Sequence, residues 1–527
     1  MSDAASVLEL VADPSFTPGK KHFPELFDVL CGEDAELSLR ALRALSAAQS
    51  DLAKAIDRRL PTAEPIAVSR LVLLASRAAT RSPRLDAIVT EGLLHASPIV
   101  RKAAADAIGR AKLPAVDALR AAFDAETVPG VRETILGALG KVGGAAAFDV
   151  LAGAKPTTRR VAKVVERARI IARRDEQRDV PSQVDASATL DRAVVVFRCR
   201  IGLEQILREE VAGLPGFVGT HVEDAFGPGA VTTTFSGKVE QLLRVRTALG
   251  FGFPLAPLDR ALGDADAVVA SLSSAPSLAI VEPLTRGPLR FRIELPSGKR
   301  RALLWDVASR LEADGSILLN DPRAAVWEAS LSARPDSERF EWCPRIENPR
   351  FAYRSVDVAA ASHPTLAAAL VRVSEPRPGD VVWDPFVGSG LELCERSLAG
   401  PSRALIGTDV DDAALERARQ NLAGAGATAS LFRGSAWSFL PDQPVDAIIT
   451  NPPMGRRVLE GRDLAGLLAN FVSRAAGLLA PKGRLVWMSP VPDATREAAR
   501  AAGLRLVRSS DVDMGGFLAE LQRFDLP

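Results

Sequence analysis

Between residues 380 and 489 five short apolar runs alternate with helix-length segments, and that rhythm constrains this chain more than any other feature. The runs are DVVWD (380–384), RALIGTD (403–409), ATASLFR (427–433), VDAIIT (445–450) and GRLVWMS (483–489). Between them lie amphipathic stretches such as DDAALERARQNLAGAG and LAGLLANFVSRAAGLLA. Strands separated this way run parallel, because each crossover carries a helix back over the sheet. The spacing predicts a doubly wound parallel sheet, with a ligand cleft outside the carboxyl ends of its strands. The last two runs, LRLVRS and GFLAELQRF, have no helix-length segment between them and should pair antiparallel at one edge.

The first third repeats itself. LRALRALS from Leu39, SRLVLLAS from Ser69, VRKAAADAIG from Val100 and VRETILGALG from Val131 share a helical apolar pattern. Arg40, Arg70, Arg101 and Arg132 stand 30, 31 and 31 residues apart. In the last two copies Pro98 and Pro129 open the helix, and Gly109 and Gly140 are expected to close it. A fixed period of this kind marks stacked helix pairs, and the segment resembles short HEAT-like repeats. The next helix, RRVAKVVERARIIARR at 159–174, carries seven Lys or Arg against one Glu. It reads as the solvated face of a capping helix, or alternatively as a surface for RNA phosphates. Residues 176–190, EQRDVPSQVDASATL, are polar and read as a linker.

The middle third mixes strands (AVVVFRCR, AVTTTFSG, LRFRIEL, AAVWEASLS) with helices (LEQILREEVAGL, KVEQLLRVRTAL, LLWDVASRLEADG), an α+β pattern. It holds no catalytic constellation and reads as a binding module. A chain of 527 residues exceeds one ordinary core, and 47% hydrophobic with 25% charged residues describes a globular protein. A net charge of +1 gives no general pull on polyanions, so nucleic-acid binding would need local basic patches. Cys31, Cys199, Cys343 and Cys394 form no C-x-x-C pair, which argues against a zinc ribbon or disulfide framework and fits a reducing cytoplasm. The start, MSDAASVLELVADPS, lacks a signal-peptide pattern, and no apolar run reaches membrane-spanning length. His22, His95, His221 and His363 are scattered and suggest no metal site.

The chemistry lies in the alternating third. In WDPFVGSGLELCERSLAG, Asp384 ends a strand, and a loop with Gly388 and Gly390 leads into a helix, so backbone can approach a ligand closely. Leu393 stands where a dinucleotide fingerprint needs its third glycine, and the Gly-Lys-Ser/Thr of a P-loop is absent. The loop therefore suits a ligand without a pyrophosphate. Asp409 ends the second strand, 19 residues beyond Gly390, where a carboxylate can take two ribose hydroxyls. Asp411 reads as the cap of the following helix, the competing assignment for Asp409. Asn451-Pro452-Pro453 follows the fourth strand. An exocyclic nucleobase amine is a poor nucleophile, because its lone pair is delocalised into the ring. The Asn451 side-chain oxygen and the Pro452 carbonyl can take its hydrogens and turn that lone pair toward an electrophile. No strong base is needed.

In this order the landmarks resemble class I S-adenosylmethionine-dependent methyltransferases. Asp384, Pro385, Phe386, Gly388 and Gly390 match the first motif, Asp409 the second, and Asn451, Pro452, Pro453 and Met454 the amine-methylating Asn-Pro-Pro-aromatic motif. ASHPTLAAALVRVSEPRPGD is similar to the family segment that covers the methionine end of the cofactor. NPRFAYRS (Arg350, Tyr353, Arg354), GLEQILREEV and LLNDPRAAVWEASL resemble the THUMP-domain RNA guanine-N2 methyltransferases. That resemblance covers roughly 193–527 and implies a ferredoxin-like and THUMP-like RNA-presenting region over 191–350 and a Rossmann-like methyltransferase domain over 351–527. The HEAT-like repeats over 1–175 and the linker over 176–190 lie outside it, and in this multidomain chain the repeats read as an added grip on RNA or protein. The resemblance also implies S-adenosyl-L-methionine as cofactor, and a guanosine N2 amine in tRNA or rRNA as target. Arg354, Arg456 and Arg457 become candidates for RNA phosphate. Two positions depart from the pattern: Met454 replaces the stacking aromatic, and Ser435, beside Ala436, replaces the acid that holds the adenine amino group. The alternatives are an amine methyltransferase acting on DNA adenine or protein glutamine, and a non-catalytic scaffold with a degenerate domain.

Overall fold

The computed structural model describes residues 11–13, 16–154, 159–176, 179–222, 226–258, 263–295, 300–334, 337–356, 363–454 and 463–527. The chain forms two compact units, residues 1–181 with 300–321 and residues 182–299 with 322–527.

The first unit is built of helices, among them Phe23–Cys31, Ala35–Ser46, Pro65–Arg77, Pro98–Ala111, Val116–Ala125, Pro129–Val142 and Arg159–Glu176. Their apolar faces join in one core that runs from Val11 to Ala168. Proline opens the helices at 65, 98 and 129, where a missing N–H costs nothing. The arginine register has a cause. Arg70 donates to the carbonyls of Leu30 (3.0 Å) and Gly32 (2.6 Å), and Arg132 to those of Phe123 and Glu126 (both 2.8 Å). Arg101 donates to the carbonyls of His95 (2.9 Å) and Ala96 (2.7 Å). Each satisfies carbonyls that an earlier helix or turn leaves open at its end. Arg40 departs from the series: it pairs with Glu36, one turn away on the surface, while Arg43 reaches the Val11 carbonyl at 3.0 Å.

Gly109 and Gly140 do not close their helices. Both lie inside them, where a Cβ would stand 2.9 Å from Ala138 Cα and 2.4 Å from Ala168 Cα respectively. They are small because a neighbouring helix crosses there. The basic helix is likewise employed internally. Arg169 donates to the Leu151 carbonyl at 2.9 Å, Arg174 to Asn320 at 2.8 Å, and Arg173 pairs with Glu312. Arg167 and Arg174 each stand 5.5 Å over the ring of Trp305. The helix Arg301–Ala313 therefore joins the N-terminal unit, although its position in sequence put it within 191–350.

The second unit begins inside the expected linker. Gln183–Val184 pairs antiparallel with Thr285–Arg286, and the strand Thr189–Arg198 starts one residue before its end. Backbone pairing carries these residues, and their polar side chains gave no periodic sign of it. Seven successive strands of the adjoining eight-stranded sheet run Phe217–Val222, Ala230–Lys238, Thr189–Arg198, Gly250–Pro257, Ser337–Pro344, Trp327–Arg334, Leu289–Glu294. Neighbours are antiparallel except the last pair, which is parallel. The helix expected at KVEQLLRVRTAL is only Val239–Leu242. Buried Glu210 explains why, since it accepts from the backbone N–H groups of Arg246 (2.8 Å) and Thr247 (2.9 Å) and holds them in a turn.

The elements of the C-terminal domain are α1 (Pro364–Val373), β1 (Val381–Asp384), α2 (Leu391–Leu398), β2 (Ala404–Asp409), α3 (Asp412–Gly424), β3 (Ser430–Arg433), β4 (Val445–Thr450), α4 (Leu464–Leu478), β5 (Leu479–Ser489), α5 (Pro492–Ala501), β6 (Arg505–Asp513) and β7 (Leu518–Asp525). The sheet order is β3-β2-β1-β4-β5-β7-β6, with β1 to β5 parallel and β7 antiparallel to both neighbours. The order reverses at β1 and β4, which places the switch-point crevice above their carboxyl ends. Edge strand β6 is covered by the preceding module: Asp513 N–H donates to the Ile201 carbonyl at 3.0 Å and the Ser510 hydroxyl to that of Gly202 at 2.5 Å. Gly202 has φ +95°, and a Cβ there would lie 1.8 Å from Asp511 O. Arg246–Glu395 (2.6 Å) and Arg508–Glu209 (2.8 Å) add ion pairs across the same junction.

Buried Glu126 supplies a test of the repeat architecture. Arg101 binds it at 2.7 and 2.9 Å, and the N–H groups of Thr127 and Val128 donate to it at 3.0 and 2.9 Å. The Arg101 hydrogen bonds, helped by these amides, hold the carboxyl down at about 2. A depressed acid stabilises the fold above its unfolded pKa and loses that contribution as pH falls toward the folded value. Glu126→Gln should therefore cost on the order of 2 kcal/mol near neutral pH. In urea titrations between pH 3 and 7 the gap to wild type should narrow as the medium becomes acid.

Candidate active site

β1 is four residues long and fully buried, so its last side chain, Asp384, meets the crevice without reaching water. Asp384 Oδ1 accepts from the Phe386 N–H at 3.1 Å and from the Thr450 hydroxyl at 2.6 Å. Its Oδ2 is buried with no hydrogen-bond partner among the described residues. Burial, with a smaller push from nearby Glu392, raises this carboxyl well above the ordinary range. The following turn brings Gly388 and Gly390 to φ +50° and +80°, and Gly390 caps α2. A Cβ at Gly390 would stand 3.1 Å from that of Ala418, so α3 packs directly on the loop.

Asp409, at the end of β2, faces this loop. One oxygen accepts from the Gly388 N–H and the other from the Asp411 N–H, both at 3.0 Å. The carboxylate is thus oriented by backbone on both sides. Asp411 caps α3, accepting from the Ala413 N–H at 3.0 Å. Beyond β3, the Ser435 hydroxyl accepts from the Trp437 N–H at 3.3 Å, and Ala436 is buried beside it. Pro385 closes the turn after β1, with its carbonyl accepting from the Thr408 hydroxyl at 3.2 Å. The Phe386 ring lies 5.5 Å from Trp437 and 5.3 Å from Phe471. At the end of β4, Asn451 is half-buried, Pro452 is buried, and Pro453 and Met454 are half-buried. The Thr450 bond to Asp384 sets this turn beside the glycine loop.

Arg354 is half-buried at the entry to the domain, and Arg456 and Arg457 lie outside the described residues. Several contributors were not singled out from the sequence. Buried Asn421, inside α3, donates to the carbonyls of Ser389 (2.9 Å) and Val356 (3.0 Å), and ties the loop to the segment before the domain. An amide within a helix was its one available sign. Trp437, 37% exposed next to Ser435, offers an aromatic face. Tyr353, already singled out in NPRFAYRS, is buried, its hydroxyl bonded to Glu395, which also pairs with Arg246. His363 caps α1 through the Thr365 N–H; burial and then the charges of Arg200, Arg354 and Arg350 hold its pKa below the usual value. Arg350 and Arg354 share the NPRFAYRS stretch, and Arg200 joins them from a distant one, with no local pattern to link the two.

Residues 352–520 match the UPF0020 family model, described as an RMKL-like methyltransferase domain. This part of the chain is a methyltransferase domain. Residues 87–168 match a model of HEAT repeats. A tRNA (guanine(6)-N2)-methyltransferase of Thermus thermophilus is 28% identical over 354 residues, which cover 60% of this chain and 94% of that protein. The U6 snRNA (guanine-N(2))-methyltransferase THUMPD2 of Mus musculus is 33% identical over 133 residues, 24% of this chain and 25% of its own. Among solved structures, TrmN from Thermus thermophilus superposes with a TM-score of 0.52 at 25% identity, over 63% of this chain and 99% of that one. SMU.472, solved in complex with SAH, shares the fold at a TM-score of 0.50 and 14% identity, over 64% of this chain and 98% of its own.

The residues present fit S-adenosylmethionine, the cofactor that the sequence resemblance implies. A glycine turn with positive φ admits a close ligand, Asp409 is held ready for paired hydroxyls, and the buried Asp384 Oδ2 leaves polar capacity inside the crevice. Asp384 also provides a sign-specific test. Because its folded pKa is raised, wild-type stability falls as pH climbs from the unfolded value near 4 toward the folded one. Asp384→Asn keeps the Oδ1 acceptor and removes the titration. The thermal midpoint of the cofactor-free variant, relative to wild type, should rise from pH 4 to pH 8. A pH-independent difference would contradict the buried, uncompensated carboxyl.

Proposed function

We propose that this protein transfers a methyl group to the exocyclic N2 amine of a guanosine in RNA, with tRNA the first candidate and rRNA the second. Bound S-adenosylmethionine supplies an electrophilic methyl on a sulfonium. The protein's part is to hold and aim the amine. Asn451 Oδ1 and the Pro452 carbonyl accept its two hydrogens, and the prolines fix their spacing by locking φ. Turning the lone pair out of the ring in this way is electrostatic and positional catalysis, and the amine proton, acidified by transfer, leaves to solvent. Met454 covers the base edge with a soft thioether in place of an aromatic ring. Asp384, Pro385, Phe386, Gly388, Gly390, Asp409, Ser435 and Ala436 form the cofactor side.

The observation that carries this reading is the junction of the Asn451–Met454 turn with the glycine loop through Thr450 and Asp384. For the substrate class, coverage discriminates. The Thermus tRNA enzyme aligns with 60% of this chain, more than the 177 residues from 351 to 527 can supply. A ribosomal protein L11 methyltransferase of Azotobacter vinelandii aligns with 24%. We assign the strands and helices between 183 and 350, apart from Arg301–Ala313, as a ferredoxin-like and THUMP-like region that presents RNA. Arg354, Arg456 and Arg457 meet phosphate in this scheme. The spread cysteines fit work in the cytoplasm, and no described helix is long and apolar enough to cross a membrane.

Asn451→Ala should lower methyl transfer to RNA by about a thousandfold or more. Its affinity for S-adenosylhomocysteine should stay within about threefold, since Asn451 acts on the amine. Nucleoside analysis of RNA from cells with and without the protein should show loss of one N2-methylated guanosine. An unchanged RNA profile, with methyl found on protein or DNA instead, would overturn the substrate assignment.

A further inference from the structure

We infer that Thr450 is a positioning residue that locks the amine-holding turn to the cofactor loop. The backbone ladder between β1 and β4 registers Val382 with Ala447 and Trp383 with Ile448. β4 continues past that register and pairs through Thr450 with Trp487 of β5. The crevice therefore opens where the ladder ends. At that point the Thr450 hydroxyl donates to Asp384 Oδ1 at 2.6 Å, with both side chains fully buried. The same oxygen accepts the Phe386 N–H, so one atom joins the top of β4 to the turn that begins the cofactor loop. Asn451 is the next residue after Thr450. A restricted β-branched χ1 and a buried bond leave the start of the Asn-Pro-Pro turn little freedom.

Thr450 touches neither reacting group. Its effect is to place Asn451 and Pro452 relative to the bound methyl donor, where a displacement of about 1 Å can cost on the order of a hundredfold in rate. The activity arm of the test rests on the proposed function; the exchange arm does not. Thr450→Val removes the hydroxyl at nearly constant shape, and Thr450→Ser restores it. In single-turnover assays Thr450→Val should transfer methyl about 30- to 100-fold more slowly than wild type, with affinity for S-adenosylhomocysteine within about threefold. Thr450→Ser should recover to within about fivefold.

Hydrogen exchange of the full chain, with and without S-adenosylhomocysteine, reads the coupling directly. In wild type the ligand should slow exchange in both 385–391 and 448–454. In Thr450→Val protection of the first segment should persist while that of the second falls about fivefold or more. The inference is overturned if the valine variant keeps wild-type protection of 448–454, or if wild type never protects that segment. Equal losses of transfer and cofactor affinity would also overturn it, because they describe a cofactor contact. Thr450→Ala replaces the valine variant in every arm should the latter not fold. If wild type transfers no methyl to RNA, the functional proposal fails while the exchange result still decides the coupling.

Discussion

The two ends of β1 carry carboxylates under opposite electrostatic conditions, and the catalytic domain depends on the difference. Asp380 precedes the strand and is buried between Arg396 and Arg484, both fully buried, at 3.3 and 2.6 Å. Burial alone would raise its pKa; hydrogen bonds from Arg484 and from the Arg377 backbone outweigh burial and hold it below the usual value. Asp384, four residues on, is as deeply buried, and it accepts from one hydroxyl and one amide, both on the same oxygen. Removing a charge from Asp380's cluster would strand its partners in low dielectric, so this end of the sheet is fixed. The other end retains unspent polar capacity. A rigid base and an unsaturated rim are what a preformed ligand site requires.

The alternation of apolar runs was sufficient for the sheet because parallel strands admit few connections. It gave five parallel strands and an antiparallel pair at one edge, and these are present as β1 to β5 and β6–β7. The glycine loop and Asp409 were legible for a similar reason: positive φ and a strand-end acid leave marks at fixed spacing. Less visible were features made by distant partners. Gln183–Val184 looked like linker because its strand character comes from Thr285–Arg286, and Arg301–Ala313 looked like part of the middle region because Trp305 and Glu312 meet arginines from another segment. Gly109 and Gly140 misled in an instructive way. A glycine late in a helix pattern suggests a stop, and only the crossing helix reveals that it serves close approach.

The arginine register shows how one spacing can carry two meanings. Four arginines at nearly equal intervals ran through two clear and two degenerate copies, and their shared role extends to three. Arg70, Arg101 and Arg132 meet carbonyls at the ends of earlier helices or turns, while the first copy delegates that task to Arg43, three residues on. A period fixes where a helix face recurs, but the helix end it reaches depends on the length of the preceding turn. The basic helix obeys the same logic. Its charge density suggested a solvated face, with a phosphate surface as the alternative, and three of its arginines are spent on Leu151, Glu312 and Asn320.

The two departures from the methyltransferase pattern fall on different functions and should be weighed separately. In the proposed reaction Ser435 belongs to the cofactor side, where an aromatic group of Phe386, Trp437 and Phe471 adjoins it. Stacking and burial against such a group depend on area and ring faces, so losing one charged acceptor weakens a contact without removing the platform. Met454 lies on the amine side of the proposed reaction, where orientation matters most. There the amine's hydrogens would go to Asn451 and Pro452, and a thioether can shield a base face without competing for them. Neither change touches Asp384, Thr450 or Asn451, the chain of residues that joins cofactor loop to amine. A domain decaying into a scaffold has no reason to keep a buried hydroxyl–carboxyl bond at that junction, because an apolar pair of the same shape would be cheaper to bury.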